Sequence, residues 1–410
     1  LVLSSNITFS EVARFVNQNR ELLKLVKVIT LGAFFAFFLF GFSDNLKGAT
    51  FPVLLDDLSF NYATGSTILL LSYFGFLIAT LITGPLSDVA GKKVVIFLAS
   101  TFLFVGMLGY SLVSEMWMLA LTMFIMGLGA LEVGANLIIV DVHPEDKGRY
   151  LNLLAFFHGV GSMIAPLYAG QMLVMGFSWR RVYQFGAGIA LLVLIYFLLA
   201  KYPRTTSVQS NKLDFKNLGK SVFSGQMILF FASITTYVAA EIGIGAWLVE
   251  FLQKVKLQSI SQSTFYLALF FGTITVGRFV GSFFVSRIGY LKSLFYAGLA
   301  AAICVSIGIF APMELAILLP LSGFFYSIIF STITAAVSDL HQENQGAILG
   351  LLFTFAGIGG MLGPWVVGLT SDWFGMQLGF GLVLVFLILM NIFFALLLKK
   401  EKKRKTYTKY

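Results

Sequence analysis

Long apolar runs constrain this chain more than any other feature, because about 20 apolar residues in a row are enough to cross the hydrocarbon of a bilayer. Of its 410 residues, 58% are hydrophobic and 11% are charged, whereas about 25% of a soluble domain is charged. The runs are rich in Leu, Phe, Ile, Gly and Ala, and they lack the alternation of barrel strands. The sequence therefore predicts an all-α polytopic membrane protein.

We predict twelve membrane-spanning helices, numbered here as spans 1 to 12. The first six are at 28–55, 61–86, 93–113, 116–141, 148–174 and 181–201, and the second six are at 222–252, 262–287, 291–311, 314–338, 345–371 and 377–398. The predicted domains are an amphipathic cytoplasmic segment at 1–27 on the inner leaflet, six-helix halves at 28–201 and 222–398, a linker at 202–221 and a disordered basic tail at 399–410.

Lysine and arginine set the predicted orientation. With the N-terminus inside, the cytoplasmic segments hold 22 of the 28 basic residues and the outer loops hold four. This bias places both termini in the cytoplasm, in a multi-pass protein of the plasma (inner) membrane. The net charge of +9 then belongs to loops that face anionic lipid, so nucleic acid is not an expected partner.

The chain repeats itself at an offset of 198 residues. The stretch GRYLNLLAFFHGVGSMIAPLYAG (148–170) matches GAILGLLFTFAGIGGMLGPWVVG (346–368) with ten identities in 23 positions, and Gly91 pairs with Gly289 at the same offset. Six spans are thus followed by six equivalent spans in the same orientation. Two parallel six-helix halves are the construction of major facilitator transporters, which place substrate at the midplane between the halves.

Span 4 carries a carboxylate, Glu132, with Asn136 one turn later on the same face. A carboxylate at bilayer depth costs at least about 2.5 kcal/mol, so it usually faces a cavity and has a task. We expect Glu132 to bind the coupling proton or ion. The alternative is a structural carboxylate paired with a buried base such as Arg278. The repeat maps Glu132 onto Phe330, which favours a titratable site confined to the first half.

Spans 1 and 7 carry acids at nearly equivalent positions, Asp44 and Glu241. Both spans are interrupted by glycines, which is a sequence pointer to a transporter binding site. We expect both carboxylates, and Trp247 through its ring, to bind substrate hydroxyls and an apolar sugar face. Asp44 could instead form a local pair with Lys47, and Trp247 could instead lie in the interfacial aromatic belt.

Two further basic groups lie within spans. His158 in span 5 is a candidate for a substrate hydrogen bond or a proton relay, or else for a neutral histidine bonded to a neighbouring helix. Arg278 in span 8 is too deep to reach the cytoplasmic surface easily, so it should pair with a carboxylate or contact substrate.

Two cytoplasmic loops are equivalent in the repeat. GPLSDVAGKK (84–93) joins spans 2 and 3, and GSFFVSRIGYLK (281–292) joins spans 8 and 9. Each predicts a tight glycine turn. We expect Asp88 and Arg287 in these loops to act as a conformational latch, although charges that only fix topology would explain the same residues.

The chain resembles the fucose–galactose–glucose:proton symporter (fucose permease) family of the major facilitator superfamily. The resemblance is carried by GLGALEVGAN in span 4, TYVAAEIGIGAWL in span 7, VGRFVGSFFVSR in span 8 and GLTSD at 368–372. It implies proton-coupled sugar uptake, with Glu132 as the protonatable group followed by the family asparagine, Asn136. The sequence departs from the family pattern at Gly48, His158 and Phe330, which disfavours fucose itself.

The sequence thus predicts a monomeric secondary transporter of a hexose or deoxyhexose by proton symport, and not an enzyme. No metal-ligand cluster and no phosphate-binding loop of an ATP-driven pump are evident, so we expect no cofactor beyond the proton gradient, with sodium as a possible ion. The rivals are a sodium-coupled or uncoupled sugar carrier, a multidrug or lipid-like exporter of the same fold, and a sugar sensor that does not transport.

Overall fold

The computed structural model describes residues 9–200, 224–340 and 345–407. Within these residues the chain is helical and contains no strand. Eleven of the described helices are long and apolar enough to cross a membrane, and a shorter apolar helix at Met116–Leu128 begins a twelfth span. The predicted all-α polytopic fold is therefore confirmed.

The observed helices follow the predicted spans closely. The first half contains Phe9–Leu58, Tyr62–Ala90, Lys92–Leu112, the broken span 4 (Met116–Leu128, a 3-10 turn at Gly129–Glu132 and Val133–Val142), Lys147–Val174 and Trp179–Leu199. The second half contains Gly225–Lys254, Ile260–Ile288, Tyr290–Phe310, the broken span 10 (Met313–Leu315, Leu318–Leu321, Gly323–Tyr326 and Ile329–Leu340), Gln345–Phe374 and Met376–Tyr407.

The two ends of the chain are more regular than the sequence predicts. The first helix is continuous from Phe9, so residues 9–27 do not form a separate amphipathic helix; no glycine or proline precedes Gly32 to interrupt it. The last helix continues to Tyr407, so most of the basic tail is helical, since Lys, Arg and Glu favour helix. The predicted linker at 202–221 lies outside the described residues.

The sequence repeat is reproduced in the loops between spans 2 and 3 and between spans 8 and 9. Gly91 and Gly289 both have φ of +88°, which confirms the predicted tight glycine turns. Beside Gly91, Lys92 of span 3 forms an ion pair with Asp141 of span 4. At the equivalent positions of the second half, Tyr290 forms a side-chain hydrogen bond with Asp339.

Spans 4 and 10 are broken at equivalent depths. Span 4 leaves the α-helix at Gly129 and resumes it at Val133. Span 10 is interrupted at residues 327–328, and the offset of 198 maps these residues onto 129–130. Discontinuous helices at corresponding positions of two repeats are typical of transporter binding sites.

Glycines let the helices of each half approach closely. A Cβ atom at Gly161 of span 5 would lie 2.2 Å from the carbonyl oxygen of Phe38 in span 1. At the equivalent glycine of span 11, Gly359, a Cβ atom would lie 2.2 Å from the carbonyl oxygen of Thr235 in span 7. Small residues at such crossings are the usual means of packing helices in a bilayer, where no hydrophobic effect drives them together.

The halves meet at the end opposite the Lys- and Arg-rich loops, which we call the outer end. The Tyr62 hydroxyl donates to Glu250 Oε1 at 2.9 Å, and Lys254 Nζ lies 3.1 Å from Asp56 Oδ1. Asp372 of span 11 accepts from the backbone N–H groups of Tyr62 and Ala63, at 2.9 and 2.6 Å. A carboxylate from one half therefore caps the N-terminus of span 2 in the other half, where the helix dipole favours negative charge.

The inner end is open by comparison. Asp88 and Arg287 have exposed side chains, and no described residue of the other half forms an ion pair with either of them. Arg278 and Ser331 are also exposed, although they lie well inside their spans. The structure is therefore open at the end that carries the Lys- and Arg-rich loops, which is the inward-facing state if the predicted orientation holds. A latch made by Asp88 and Arg287 remains a prediction for the opposite conformation.

His143, in the loop after span 4, generates a prediction about pH. Its Nε2 lies 2.7 Å from Thr30 Oγ1 of span 1, and its ring stacks on Tyr150 with centroids 3.5 Å apart. Burial lowers the pKa of His143 from its ordinary value of 6.5, and the nearby Asp146 offsets part of this effect. The neutral ring is thus the form that the folded protein favours.

We expect the melting temperature of the detergent-solubilised protein to fall as pH drops through about 6.5, because the unfolded chain then binds the proton more readily than the folded one. His143→Gln keeps a donor for Thr30 but does not titrate, so its melting temperature should fall less over the same interval. Identical pH profiles for the wild type and the variant would contradict this account.

Candidate functional site

An ion pair is buried between spans 1 and 2. Lys47 Nζ lies 2.5 Å from Asp44 Oδ1 and 2.8 Å from Ser72 Oγ, and it sits 4.8 Å from the ring centroid of Tyr73. The local pair that the sequence offered as an alternative role for Asp44 is therefore present. The Asp44 side chain remains 17% exposed, so it can still be reached from the space between the halves.

Glu241 of span 7 has a hydrogen-bond partner that sequence reasoning missed. Tyr237, one turn earlier, bonds to its carboxylate and also lies 3.2 Å from the carbonyl oxygen of Tyr326. Tyr73, from the other half, lies within electrostatic range of both Glu241 and Asp44. The carboxylates of spans 1 and 7 therefore belong to one polar cluster that crosses the interface between the halves.

His158 brings span 5 to this cluster. Its ring packs against Phe40 with centroids 5.6 Å apart, and both Asp44 and Arg278 lie within electrostatic range of it. Among the described residues, no hydrogen bond to the ring itself is formed. The ring nitrogens thus have no protein hydrogen-bond partner among the described residues in this conformation.

Arg278 opens onto a cavity of about 310 Å³, whose polar lining includes Ser331 and Thr332 of span 10. No carboxylate of the described residues lies within ion-pair distance of its guanidinium. Glu241 is within electrostatic range but does not form a salt bridge with it. The expected structural ion pair is therefore absent in this conformation, in which water can solvate the exposed guanidinium.

Glu132 ends the 3-10 turn that breaks span 4, and Asn136 lies one turn into the helix that follows. The Glu132 side chain is outside the described part of the chain, so its predicted role stays a prediction. The Asn136 side chain is half-buried. A mid-helix 3-10 segment often marks a functional hinge, which is consistent with a site at this depth.

Trp247 is fully buried, which excludes the interfacial aromatic belt. Its Nε1–H donates to the carbonyl oxygen of Pro364 at 2.8 Å. Its ring meets Phe51 and Tyr62 edge to face, with centroid distances of 5.5 and 5.6 Å. In this conformation Trp247 is part of the closed outer end and does not line the cavity.

Several polar residues of the site were missed because their sequence signals are weak. Tyr237 lies at the i−4 position from Glu241, and that spacing could have indicated the hydrogen bond. Asn45 follows Asp44 directly, and its amide donates to Ser162 Oγ of span 5 at 2.9 Å. A tyrosine or asparagine in an apolar helix has many possible roles, so only the packing of helices distant in sequence identifies these residues as part of the site.

The assembled cluster combines hydroxyl, carboxylate, imidazole and guanidinium groups with aromatic rings. Such groups can donate to and accept from a ligand rich in hydroxyls, while the rings pack against its apolar face. The described residues contain no group of three or more His, Cys, Asp or Glu side chains that could hold a metal ion.

Comparison with known proteins supports the family. The family model for the Major Facilitator Superfamily matches residues 33–317 and 256–409. A glucose/galactose transporter of Brucella abortus is 26% identical over 84% of this chain and 88% of its own length. The L-fucose-proton symporter of Escherichia coli is 26% identical over 82% and 85% of the two chains.

Solved structures show the same fold. A bacterial homologue of the human lysosomal transporter Spinster, in an inward-facing and unoccupied conformation, superposes with a TM-score of 0.77. It is 15% identical in sequence and covers 91% of this chain and 97% of its own. Together, the family match and the two six-helix halves show that this chain belongs to the Major Facilitator Superfamily of membrane transporters, which are not enzymes.

Proposed function

We propose that this protein takes up a monosaccharide, a hexose or deoxyhexose, together with protons across the plasma membrane. The observation that carries this proposal is the polar cluster of Asp44, Tyr73, Tyr237 and Glu241 at the interface of the halves. Relatives described as a glucose/galactose transporter and an L-fucose-proton symporter, both matched over most of their length, support sugars as the substrate class.

The composition of the cluster favours a sugar over a purely apolar cargo. Carboxylate oxygens can accept paired hydrogen bonds from neighbouring hydroxyls. Tyr237 lies beside the Glu241 carboxylate and adds a hydroxyl group to the polar surface available for such a contact. Phe330 lies near Tyr237, with ring centroids 6.4 Å apart, and supplies an aromatic surface for the apolar side of a sugar ring.

Proton coupling is proposed for Glu132, with Asn136, His158, Glu241 and Asp44 on the substrate side. Glu132 lies at the break of span 4, where the backbone geometry can change at least cost. A membrane carboxylate at such a place is a candidate proton carrier by default. Trp247 would contribute indirectly, by packing the outer end when it is closed.

Alternating access follows from the arrangement of the contacts. In this inward-facing structure the outer end is closed by Tyr62–Glu250, Lys254–Asp56 and the Asp372 cap. These contacts join groups of opposite halves, so they must separate when the outer end opens. We expect Asp88 and Arg287 to come into contact at the inner end in that second state.

The first prediction concerns Glu132→Gln, measured as radiolabelled sugar uptake into proteoliposomes with an inside-alkaline pH gradient. Proton-driven accumulation should fall at least about tenfold, equivalent to about 1.4 kcal/mol, because the amide cannot carry the proton. Sugar exchange between the two sides, which needs no net proton movement, should persist.

The matched control is Glu115→Gln, which removes an exposed carboxylate at the start of span 4. It should accumulate sugar as the wild type does. Full gradient-driven accumulation by Glu132→Gln would show that Glu132 does not carry the coupling proton. Failure of the wild type to move any sugar of a monosaccharide panel would overturn the proposed function itself.

A second prediction concerns closure of the outer end. A Cβ atom at Gly48 of span 1 would lie 1.9 Å from the carbonyl oxygen of Gly245 in span 7, so Gly48→Ala should hold the halves apart there. Uptake should fall at least about tenfold, because such a loss corresponds to a population shift of only about 1.4 kcal/mol. Gly188→Ala in span 6, where an added Cβ has no neighbour within 4 Å, should be neutral.

Spin labels on opposite halves at the outer end, in a background with Cys304→Ser, would report the conformations directly. The Gly48→Ala variant should populate longer label distances than the wild type. Unchanged distances together with unchanged uptake would show that close approach of spans 1 and 7 is not required.

A further inference from the structure

The Asp44 carboxylate is paired with a cation that belongs to the same helix, the ammonium of Lys47. The transport proposal does not use this pair. Lys47 is only 4% exposed, so neither water nor salt from solution can substitute easily for its ammonium. An ammonium has three donors and no acceptor. Here they face an Asp44 oxygen, the Ser72 hydroxyl oxygen and the face of the Tyr73 ring.

We propose that the Lys47 ammonium takes the place of a coupling cation at Asp44, so that this carboxylate binds neither sodium nor a transported proton during the cycle. The proposal rests on the proposed sugar transport and deepens it, because it assigns the ion selectivity of the site. Carboxylate and hydroxyl oxygens beside an aromatic face are the groups that would otherwise hold a small cation.

Among the described groups around the pair, none supplies a second permanent cation for the Asp44 carboxylate. The charged and titratable groups that face Asp44 or Lys47 from other elements are Tyr73 of span 2, His158 of span 5 and Tyr183 of span 6, with Glu241 of span 7 beyond Tyr73. None of these described groups is a second permanent cation next to Asp44. Lys47 is therefore the counter-charge on which the ionised carboxylate depends.

Two consequences follow for the mechanism. A tethered cation cannot be released with the substrate, so span 1 contributes no ion to the stoichiometry. Uptake should then be independent of sodium, with the coupling proton carried by the carboxylate of span 4. Removing the ammonium while keeping Asp44 should expose a cation site that the natural protein lacks.

The first experiment measures melting temperature in sodium chloride and in choline chloride at equal ionic strength, without sugar. The wild type should show no difference between the two salts. Lys47→Ser, which leaves space beside an unpaired carboxylate, should be stabilised by sodium relative to choline, because a ligand that binds only the folded state raises its stability. The double variant Asp44→Asn with Lys47→Ser should lose this response.

Lys254→Gln is the matched control, since it removes the ammonium from an exposed ion pair whose carboxylate, Asp56, is solvated. It should gain no response to sodium. A wild type that is stabilised by sodium over choline would overturn the proposal. So would a folded Lys47→Ser variant whose melting temperature does not respond to sodium.

The second experiment uses a neutral pair, Asp44→Asn with Lys47→Met, which removes both buried charges together and spares the cost of leaving either one alone. If Asp44 carries no transported ion, the number of protons that enter with each sugar should be the same in this variant as in the wild type, even where the loss of a substrate-side carboxylate slows uptake. Loss of accumulation with intact sugar exchange would make Asp44 a coupling group. If the wild type moves no sugar, transport fails as a function, whereas the sodium response still decides the role of Lys47.

Discussion

Hydrocarbon offers no hydrogen-bond partner, and the structure is organised around this constraint. Backbone groups are satisfied inside helices, and polar side chains are confined to places where another helix or water can receive them. Asp44 and Lys47 satisfy each other, and Tyr237 satisfies Glu241. Since these groups lie where the halves meet, a strongly polar surface inside the membrane is also the surface along which the halves must move.

The same surface explains how a rigid bundle can have two states. Within each half, glycines such as Gly161 and Gly359 bring helices into backbone contact, which leaves little freedom for rearrangement. Between the halves, the outer contacts combine polar pairs with the packing of Trp247 on Phe51 and Tyr62. The Asp372 cap on span 2 can be replaced by water when the halves separate. Tight packing within each half and exchangeable contacts between them suit rigid-body rocking about a central site.

Much of the fold could be predicted from the sequence because its signals are local. Apolar length gives the spans, and the offset of 198 residues gives the two halves and the equivalent glycine turns at Gly91 and Gly289. The helical continuation at both ends was missed, because charged helix formers resemble a disordered tail in composition. The break in span 10 was missed because Ser327, which lies at the break, is an ordinary residue of membrane helices, whereas the carboxylate of Glu132 at the break in span 4 is unusual.

The candidate site was predicted only in part. The acids were found because a carboxylate in a membrane span is unusual, whereas Tyr73, Tyr237 and Asn45 are ordinary residues until packing brings them together. Lys47 was treated as a reason to discount Asp44, although the structure shows it to be a buried counter-charge. The substrate role of Trp247 stays a prediction, and its burial at the outer end could not be predicted because it depends on contacts with spans 2 and 11 that no local pattern encodes.

The central claim is that sugar and proton move inward together, and a charge measurement tests it most directly. Proteoliposomes adsorbed on a solid-supported membrane would receive a jump in hexose concentration at symmetrical pH and without sodium. The account predicts a transient current of positive charge in the direction of sugar entry, with acidification of the lumen reported by a trapped dye. Sugar entry without current or acidification would contradict it.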